Sequence, residues 1–369
     1  MFIDAGLSFF IIYILSLLFF LIGILKIPKY REIKLNKIEG VSVIVCVRNG
    51  QDSLTFILED LKNQNFKYDL EFIIVDDESN DNTEKIIKKY VNKDSRFKYL
   101  STYNIQSKLR YKKRAIDFGI KHSSYDWMLF TDVDCRVKPN WVNGMISNIN
   151  TSNYIIGFSE VKENNTLISK FQNIDFRMLM ISACSSSFMN YPLACSGQNQ
   201  LYNKSVYKSV NGFENISNLL QGDDSIFMQI CKASHSTKIS FSIDSDSYAT
   251  AKTHNSWIDF IKQRIRWAGD ANIMWKFNKL FFIVILSTFI ANLFILSLFF
   301  LNTYYLLIKL LFVKFIFEYL LYILGSKKMS VYVNHISFIF WFFIQIPYIV
   351  FMGISSFFSS KISWRGRQI

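Results

Sequence analysis

The chain has 369 residues, half of them hydrophobic, including 36 phenylalanines, and a formal net charge of +13. Such a composition excludes a purely soluble protein, and the length holds one large domain or two ordinary ones. The basic excess flanks apolar segments and no base-stacking motif accompanies it, so the charge points to a membrane surface and anionic phosphates, not to nucleic acid.

Residues 7–27 carry no charge before Lys26 and are long enough to span a bilayer. They lack the short apolar core and small-residue cleavage site of a signal peptide, so residues 1–28 read as an uncleaved anchor. Lys26, Lys29, Arg31, Lys34 and Lys37 follow, which puts the N-terminus outside and the next domain in the cytoplasm. Residues 38–278 then read as one catalytic domain, with strands over 41–47, 72–75, 97–100 and 127–130 and helices over 55–62, 83–91 and 114–121. Alternation of this kind predicts an α/β fold with a doubly wound, mostly parallel sheet. The five cysteines, Cys46, Cys135, Cys184, Cys195 and Cys231, have neither metal-site nor disulfide spacing and fit buried thiols of a reducing compartment.

A second apolar region covers residues 279–358, with clear spans over 281–301 and about 331–357. Between them, residues 304–324 carry Lys309, Lys314 and Glu318 and read either as a span whose charges face protein or as an interfacial helix. The total is three or four spans, and their parity stays open. Residues 359–369 form a basic tail with Lys361, Arg365 and Arg367.

Four polar constellations interrupt these elements. Asp76-Asp77 follows the apolar run Phe72-Ile73-Ile74-Val75, and Asp132-Val133-Asp134 follows Trp127-Met128-Leu129-Phe130, about fifty-five residues later. Both lie where a buried parallel strand would open into a crevice, the usual place for a nucleotide in such a sheet. The first pair suits the N–H and O–H groups of a base and ribose, with Asp81 or Asn82 capping the helix that starts near Thr83. The second offers two hard oxygen ligands for a divalent cation that also holds a diphosphate, Mg²⁺ or Mn²⁺. Alone, the first pair is equally compatible with an ordinary polar loop, and an isolated D-x-D is more often a chance match than a site; the strand-end position and the spacing of the two pairs favour the site.

Gly222-Asp223-Asp224 supplies candidates for a general base, with Asp224 preferred and Asp223 supporting it; a helix cap before Ser225 is a compatible role. Gln263-Arg264-Ile265-Arg266-Trp267 precedes the second apolar region. Gln263, Arg266 and Trp267 share a helix face and can meet hydroxyls, phosphate oxygens and a sugar ring. Standing alone, this run would read as an interfacial aromatic collar.

Taken in order, these residues resemble family two glycosyltransferases of the GT-A fold, in particular the membrane-bound branch of cellulose, chitin and hyaluronan synthases. The resemblance covers roughly residues 41–270 and the flanking spans. It implies that Arg48, in the loop after the first strand, approaches the nucleotide, that Asp76 and Asp77 contact its nucleoside, and that Lys112 and Lys113 lie near the diphosphate. Asp132 and Asp134 match the D-x-D element, with Asp134 the direct metal ligand. Gly197, Gln198 and Asn199 resemble the segment lining the acceptor side. Asp224 falls on the catalytic base, and Gln263, Arg266 and Trp267 fill the Q-x-x-R-W pattern at the donor, with Trp267 also serving the acceptor. Two departures stand out: Tyr111 replaces the usual glycine before the lysines, and Gly222-Asp223-Asp224 replaces T-E-D.

The function implied is a membrane-bound, metal-dependent, inverting transfer of sugar from a nucleotide-sugar to a hydroxyl of a lipid-linked or cell-surface glycan. The implied location is the bacterial inner membrane with a cytoplasmic catalytic domain, beside other envelope-glycan enzymes. The small membrane region favours single addition over the alternative, a processive polysaccharide synthase. The intact acidic positions disfavour a third reading, a catalytically inactive nucleotide-sugar-binding scaffold.

Overall fold

The structure, a computed structural model, describes residues 2–28, 37–234 and 236–361. The basic residues Lys29, Arg31 and Lys34, and the tail residues Arg365 and Arg367, lie outside the described residues. In chain order the elements are α1 (Phe2–Leu25), β1 (Gly40–Val47), α2 (Leu54–Lys62), β2 (Asp69–Asp76), α3 (Thr83–Val91), β3 (Phe97–Ser101), α4 (Tyr111–Lys121) and β4 (Trp127–Asp132). There follow β5 (Cys135–Val137), α5 (Trp141–Ile146), β6 (Tyr154–Gly157), β7 (Ser159–Val161), α6 (Leu167–Phe188), β8 (Gln200–Asn203), α7 (Lys204–Ser209), α8 (Ser225–Ala233), β9 (Ile239–Ser242) and β10 (Ala249–Ala251). The chain closes with α9 (Trp257–Ala271), α10 (Lys279–Phe300), α11 (Tyr304–Lys328) and α12 (His335–Ser355).

These elements divide into two compact units. One comprises Lys29–Glu160 and Ala194–Lys252, the other Met1–Pro28, Val161–Leu193 and Thr253–Ile369. The division does not follow the sequence boundary near residue 278, because α6 and α9 group with the apolar helices.

The first unit is built on a seven-stranded sheet of order β3-β2-β1-β4-β8-β6-β9. β1 sits at its centre because its sequence, GVSVIVCV, is almost uninterruptedly apolar and rich in β-branched residues, as a parallel strand covered on both faces requires. Leu54, Ile57, Leu58 and Leu61 of α2 recur at helical spacing and are all buried in the core beside Val43, Val45, Phe72 and Leu129. Fully burying each such side chain is worth about 1.5–3 kcal/mol. The β3-β2-β1-β4 part is parallel as the alternation predicts. The sheet is nevertheless mixed, since β8 pairs antiparallel with both β4 and β6.

The order reverses between β1 and β4: β2 lies on one side of β1 and β4 on the other. Ligands of open α/β sheets bind outside the strand ends at such a point. Register then fixes what stands there. Val47 pairs with Asp76, and Cys46 with Asp132, so the two acidic elements end level on one sheet edge despite their distance in sequence.

In the helical unit, α1, α10 and the segment His335–Phe358 are long and apolar enough to cross a membrane, with mean hydropathies of 2.7, 2.5 and 1.9. α1 has 24 residues, and at 1.5 Å per residue it is roughly 36 Å long, which exceeds the hydrocarbon thickness of a bilayer. It buries Gly6, Phe10, Tyr13, Leu17 and Ile24 on one stripe and leaves Ile11, Leu15, Leu18 and Ile22 exposed on the other. An apolar outer face of this kind is what lipid requires.

The segment with mixed signals is one continuous helix, α11, running through Gly325-Ser326-Lys327-Lys328 without a break. Lys314 and Glu318 are both buried, paired at 2.6 Å one turn apart, and Glu318 also accepts hydrogen bonds from Gln345 and Tyr13. These two charges thus face the interior of the helical unit, whereas Lys309 is exposed.

Candidate active site

Two loops at the carboxyl edge of β1 and β2 are zipped together. Arg48 donates to the backbone carbonyls of Asp77 and Glu78 at 2.7 and 2.8 Å. The Asn49 N–H donates to the Ser79 hydroxyl, the Asn80 N–H to Asn49 Oδ1, and the Gly50 N–H to the Thr83 hydroxyl. Asn49 and Glu78 hold left-handed backbones, with φ of +50° and +59°, a strain that non-glycine residues keep only where surrounding bonds enforce it. Asp76 accepts from the Ser79 N–H at 2.9 Å, and burial pushes its carboxyl up while Ser79 opposes the shift. Of the two candidate caps for α3, Asp81 is the one that accepts, from the Thr83 N–H at 2.9 Å.

Asp77 is buried and clamped by the Thr102 hydroxyl at 2.8 Å and by Arg114 at 2.6 Å, while Arg114 also pairs with Glu78 at 2.8 Å. Arg114 is a member of this cluster that the motif reading passes over. The signal was present in the basic run itself: consecutive helical residues point roughly 100° apart, so three adjacent cations must serve three different partners.

Lys112 takes the second direction. Its ammonium lies 2.8 Å from Asp132 Oδ1 and 3.2 Å from Asp223 Oδ2, joining the end of β4 to the loop before α8. Burial disfavours this cation, but Asp132 and Asp223 outweigh it and hold the ammonium well above its ordinary value. Lys113 takes the third direction and departs from the expected diphosphate contact. It is 1% exposed and donates to the carbonyls of Leu219 and Gln221, so it anchors the backbone leading into Gly222-Asp223-Asp224. Tyr111, where the resemblance leads one to expect glycine, has φ +56°, the backbone that glycine adopts freely.

Asp224 begins α8 as its cap, accepting from the Ser225 N–H at 2.5 Å, and its other oxygen faces the Gly197 N–H at 3.4 Å. Gly222, at φ +98°, supplies the turn that presents it. Burial first, and then the neighbouring Asp223 carboxylate, push the Asp224 carboxyl up to about 6. Asp223 behaves oppositely. Burial works against its ionisation, but Lys112 and Lys113 hold its carboxyl below the ordinary range. A pair of adjacent carboxyls whose environments separate them in this way is the usual arrangement of an acid–base site.

Gly197 lies against this cluster: a Cβ there would stand 3.2 Å from Lys112 Nζ and 3.6 Å from Asp223 Oδ2. Gln198 is half-buried beside it. Asn199 departs from the acceptor-side expectation, since its side chain is committed to the scaffold. Its amide donates to the carbonyls of Phe158 and Ser247 at 2.8 and 2.7 Å, and its oxygen accepts from the Trp141 indole at 3.0 Å. Asp134 follows β4, where its carbonyl accepts from the Lys252 N–H at 3.2 Å. Gln263, Arg266 and Trp267 are carried by α9 of the helical unit.

Residues 42–210 match the family described as Glycosyl transferase family 2. Over these residues, somewhat under half of its length, the chain is similar to a family two glycosyltransferase domain. Among curated proteins, it is 26% identical over 159 residues to the poly-β-1,6-N-acetyl-D-glucosamine synthase of Staphylococcus aureus strain MSSA476, covering 42% of this chain and 37% of that one. The synthase of the same name from Staphylococcus epidermidis is 24% identical over 180 residues, covering 47% and 42%. The matched part thus spans about two fifths of these relatives' length. Among solved structures, the mannosyltransferase PcManGT of Pyrobaculum calidifontis, in complex with GDP-Man and Mn²⁺, superposes with a TM-score of 0.60 at 11% identity over all of both chains. The domain therefore has the GT-A fold, a mixed, mostly parallel sheet accompanied by an N-terminal apolar helix and C-terminal apolar helices.

The donor set of this domain fits a hard divalent cation. Asp132 and Asp134 offer carboxylate oxygens, and Lys112 is the ammonium that Asp132 and Asp223 share, with Asp224 adjoining, so negative charge is in excess. Among the described residues no three His, Cys, Asp or Glu side chains form a metal cage. A cation that arrives with a diphosphate needs only one or two protein carboxylates.

Proposed function

We propose that the protein is a membrane-bound, metal-dependent, inverting glycosyltransferase that moves a sugar from a nucleotide-sugar to a hydroxyl of a lipid-linked or cell-surface glycan. The observation that carries this reading is the convergence of Asp132, Asp223 and Asp224 around Lys112 at the edge where Asp76 also ends. Arg48 and Arg114 brace the Asp77 loop for the nucleoside, and Gly197 and Gln198 border the acceptor. Asp132 and Asp134 would hold the divalent cation, which when bound neutralises charge developing on the diphosphate.

In the reaction, Asp224 accepts the proton of the acceptor hydroxyl as its oxygen bonds to the anomeric carbon. The bond from that carbon to the diphosphate breaks, the nucleoside diphosphate leaves with the electron pair, and the configuration inverts. The Lys112 ammonium offsets the departing charge from the side of Asp132 and Asp223. Gln263, Arg266 and Trp267 are assigned to the donor phosphates and the acceptor sugar on their motif. The apolar helices support an integral membrane protein, which we place in the bacterial inner membrane with this domain cytoplasmic. The names of the curated relatives favour a second reading, a processive polysaccharide synthase; product chain length separates the two.

A base must be ionised to work, so transfer should fall as pH drops through about 6, the value to which Asp224 is raised. Asp223→Asn removes the adjacent negative charge that raises it, and the acidic limb of the kcat/KM profile should move to lower pH. A limb that stays in place, or moves upward, would count against Asp224 as the base.

A further inference from the structure

α9 buries only two of its residues, Phe260 and Arg264, four apart on one face. A guanidinium that is 5% exposed has lost its hydration and must be compensated by its surroundings. Part of that comes from Asp175 of α6, itself buried, whose Oδ2 lies 2.9 Å from Arg264 Nη2. The rest is unusual. Nε and Nη1 are buried with no hydrogen-bond partner among the described residues, and the guanidinium instead meets aromatic rings. Its carbon stands 4.2 Å from the Trp267 ring centroid, 5.0 Å from Phe260 and 5.7 Å from Phe176, and Trp267 also meets Phe176 at 5.8 Å.

Two features indicate that this group sets geometry. A leucine at 264 would fill an apolar face without the cost of burying a charge, and a buried ion pair adds little to stability on balance. Second, the ring closest to the guanidinium belongs to Trp267, three residues along the same helix. A guanidinium held 4.2 Å from the indole centroid and ion-paired with a buried carboxylate restricts how that indole can turn; a lysine lacks the flat, delocalised cation that meets both at once.

We propose that Arg264 and Asp175 are positioning residues for sugar transfer: Asp175 holds the Arg264 guanidinium, which fixes the indole plane of Trp267 against which the acceptor sugar packs. This rests on the glycosyltransferase reading above, in which Trp267 serves the acceptor. Arg264 lies between the motif positions Gln263 and Arg266, and its function is exerted through Trp267.

The test is a double-mutant cycle in the full-length protein, with a bacterial lipid extract in detergent titrated as acceptor. Arg264→Lys should raise the acceptor KM about tenfold and leave the donor KM within about twofold. Trp267→Ala should raise the acceptor KM at least as much, and the double variant should be no worse than Trp267→Ala alone. Near-UV circular dichroism supplies a readout that needs no activity: Arg264→Lys should alter the tryptophan signal, and the alteration should vanish in a Trp267→Phe background. Asp175→Asn should reproduce the same pattern if Arg264→Lys does not fold. Multiplying effects in the double variant, an unchanged acceptor KM, or a dichroism change that persists without Trp267 would each overturn the proposal. Failure of the underlying reading looks different, as wild-type protein that releases no nucleoside diphosphate from any donor.

Discussion

Asp224→Asn is expected to lower sugar transfer by about 10³-fold, within the range that a positioned general base contributes, while nucleotide binding stays near the wild-type level. The substitution is well isolated from the fold. Asparagine caps helices as well as aspartate, so the bond from the Ser225 N–H that begins α8 survives, and the amide fills the same space beside Gly197. What disappears is a carboxylate able to take a proton. Its environment is suited to that task, because burial and Asp223 raise its carboxyl to about 6, closer to neutrality than an ordinary aspartate. Single-turnover transfer and nucleotide titration on the same preparation measure the two quantities separately. Activity within a few-fold of wild type would remove Asp224 from the chemistry.

The second large effect is expected at Asp134. Asp134→Ala, or chelation of the wild-type protein, should reduce transfer by about 10²-fold or more, because charge on the departing diphosphate would lose its main counterion. Manganese or magnesium should restore the chelated protein and leave the variant impaired. The contrast with Asp132 is informative. Asp132 is already paired with Lys112 at 2.8 Å, so its loss also releases that ammonium and its variant reports two changes at once. Full activity of the wild-type protein after exhaustive chelation would exclude a metal from the reaction.

Much of the fold was legible where local pattern decides it. The apolar runs ending at Val75 and Phe130 announced strands whose ends bear carboxylates, and the helix over residues 83–91 falls on α3 as read. The first parallel half of the sheet followed from alternation alone. What local pattern does not encode is pairing across long separations. The insertion of β8 between β4 and β6 depends on which edge was still free, and no periodicity reports that. The resemblance sets Lys112 and Lys113 together near the diphosphate, whereas one serves Asp132 and Asp223 and the other serves two backbone carbonyls.

Chemistry hidden behind an unexpected environment was also out of reach. Arg264 occupies a buried helix position that a hydropathy pattern assigns to an aliphatic residue, and only Asp175 and the surrounding rings explain it. Asn199 resembles a residue of an acceptor-lining segment, yet its amide is consumed by Phe158, Ser247 and Trp141. Lys314 and Glu318 argued against a membrane position until each was found against the other. In all three cases a polar residue type was informative only once its partner was known.

The account depends on carboxylates from separate parts of the chain meeting at one sheet edge to bind and cleave an activated sugar. The most direct measurement is nucleoside diphosphate release by the purified membrane protein from a panel of UDP-, GDP- and dTDP-sugars, with divalent metal, in the presence and absence of lipid extract. One donor should be consumed, with release stimulated by the extract and abolished in Asp224→Asn. Release from no donor by folded protein, or release untouched by Asp224→Asn, would contradict the account.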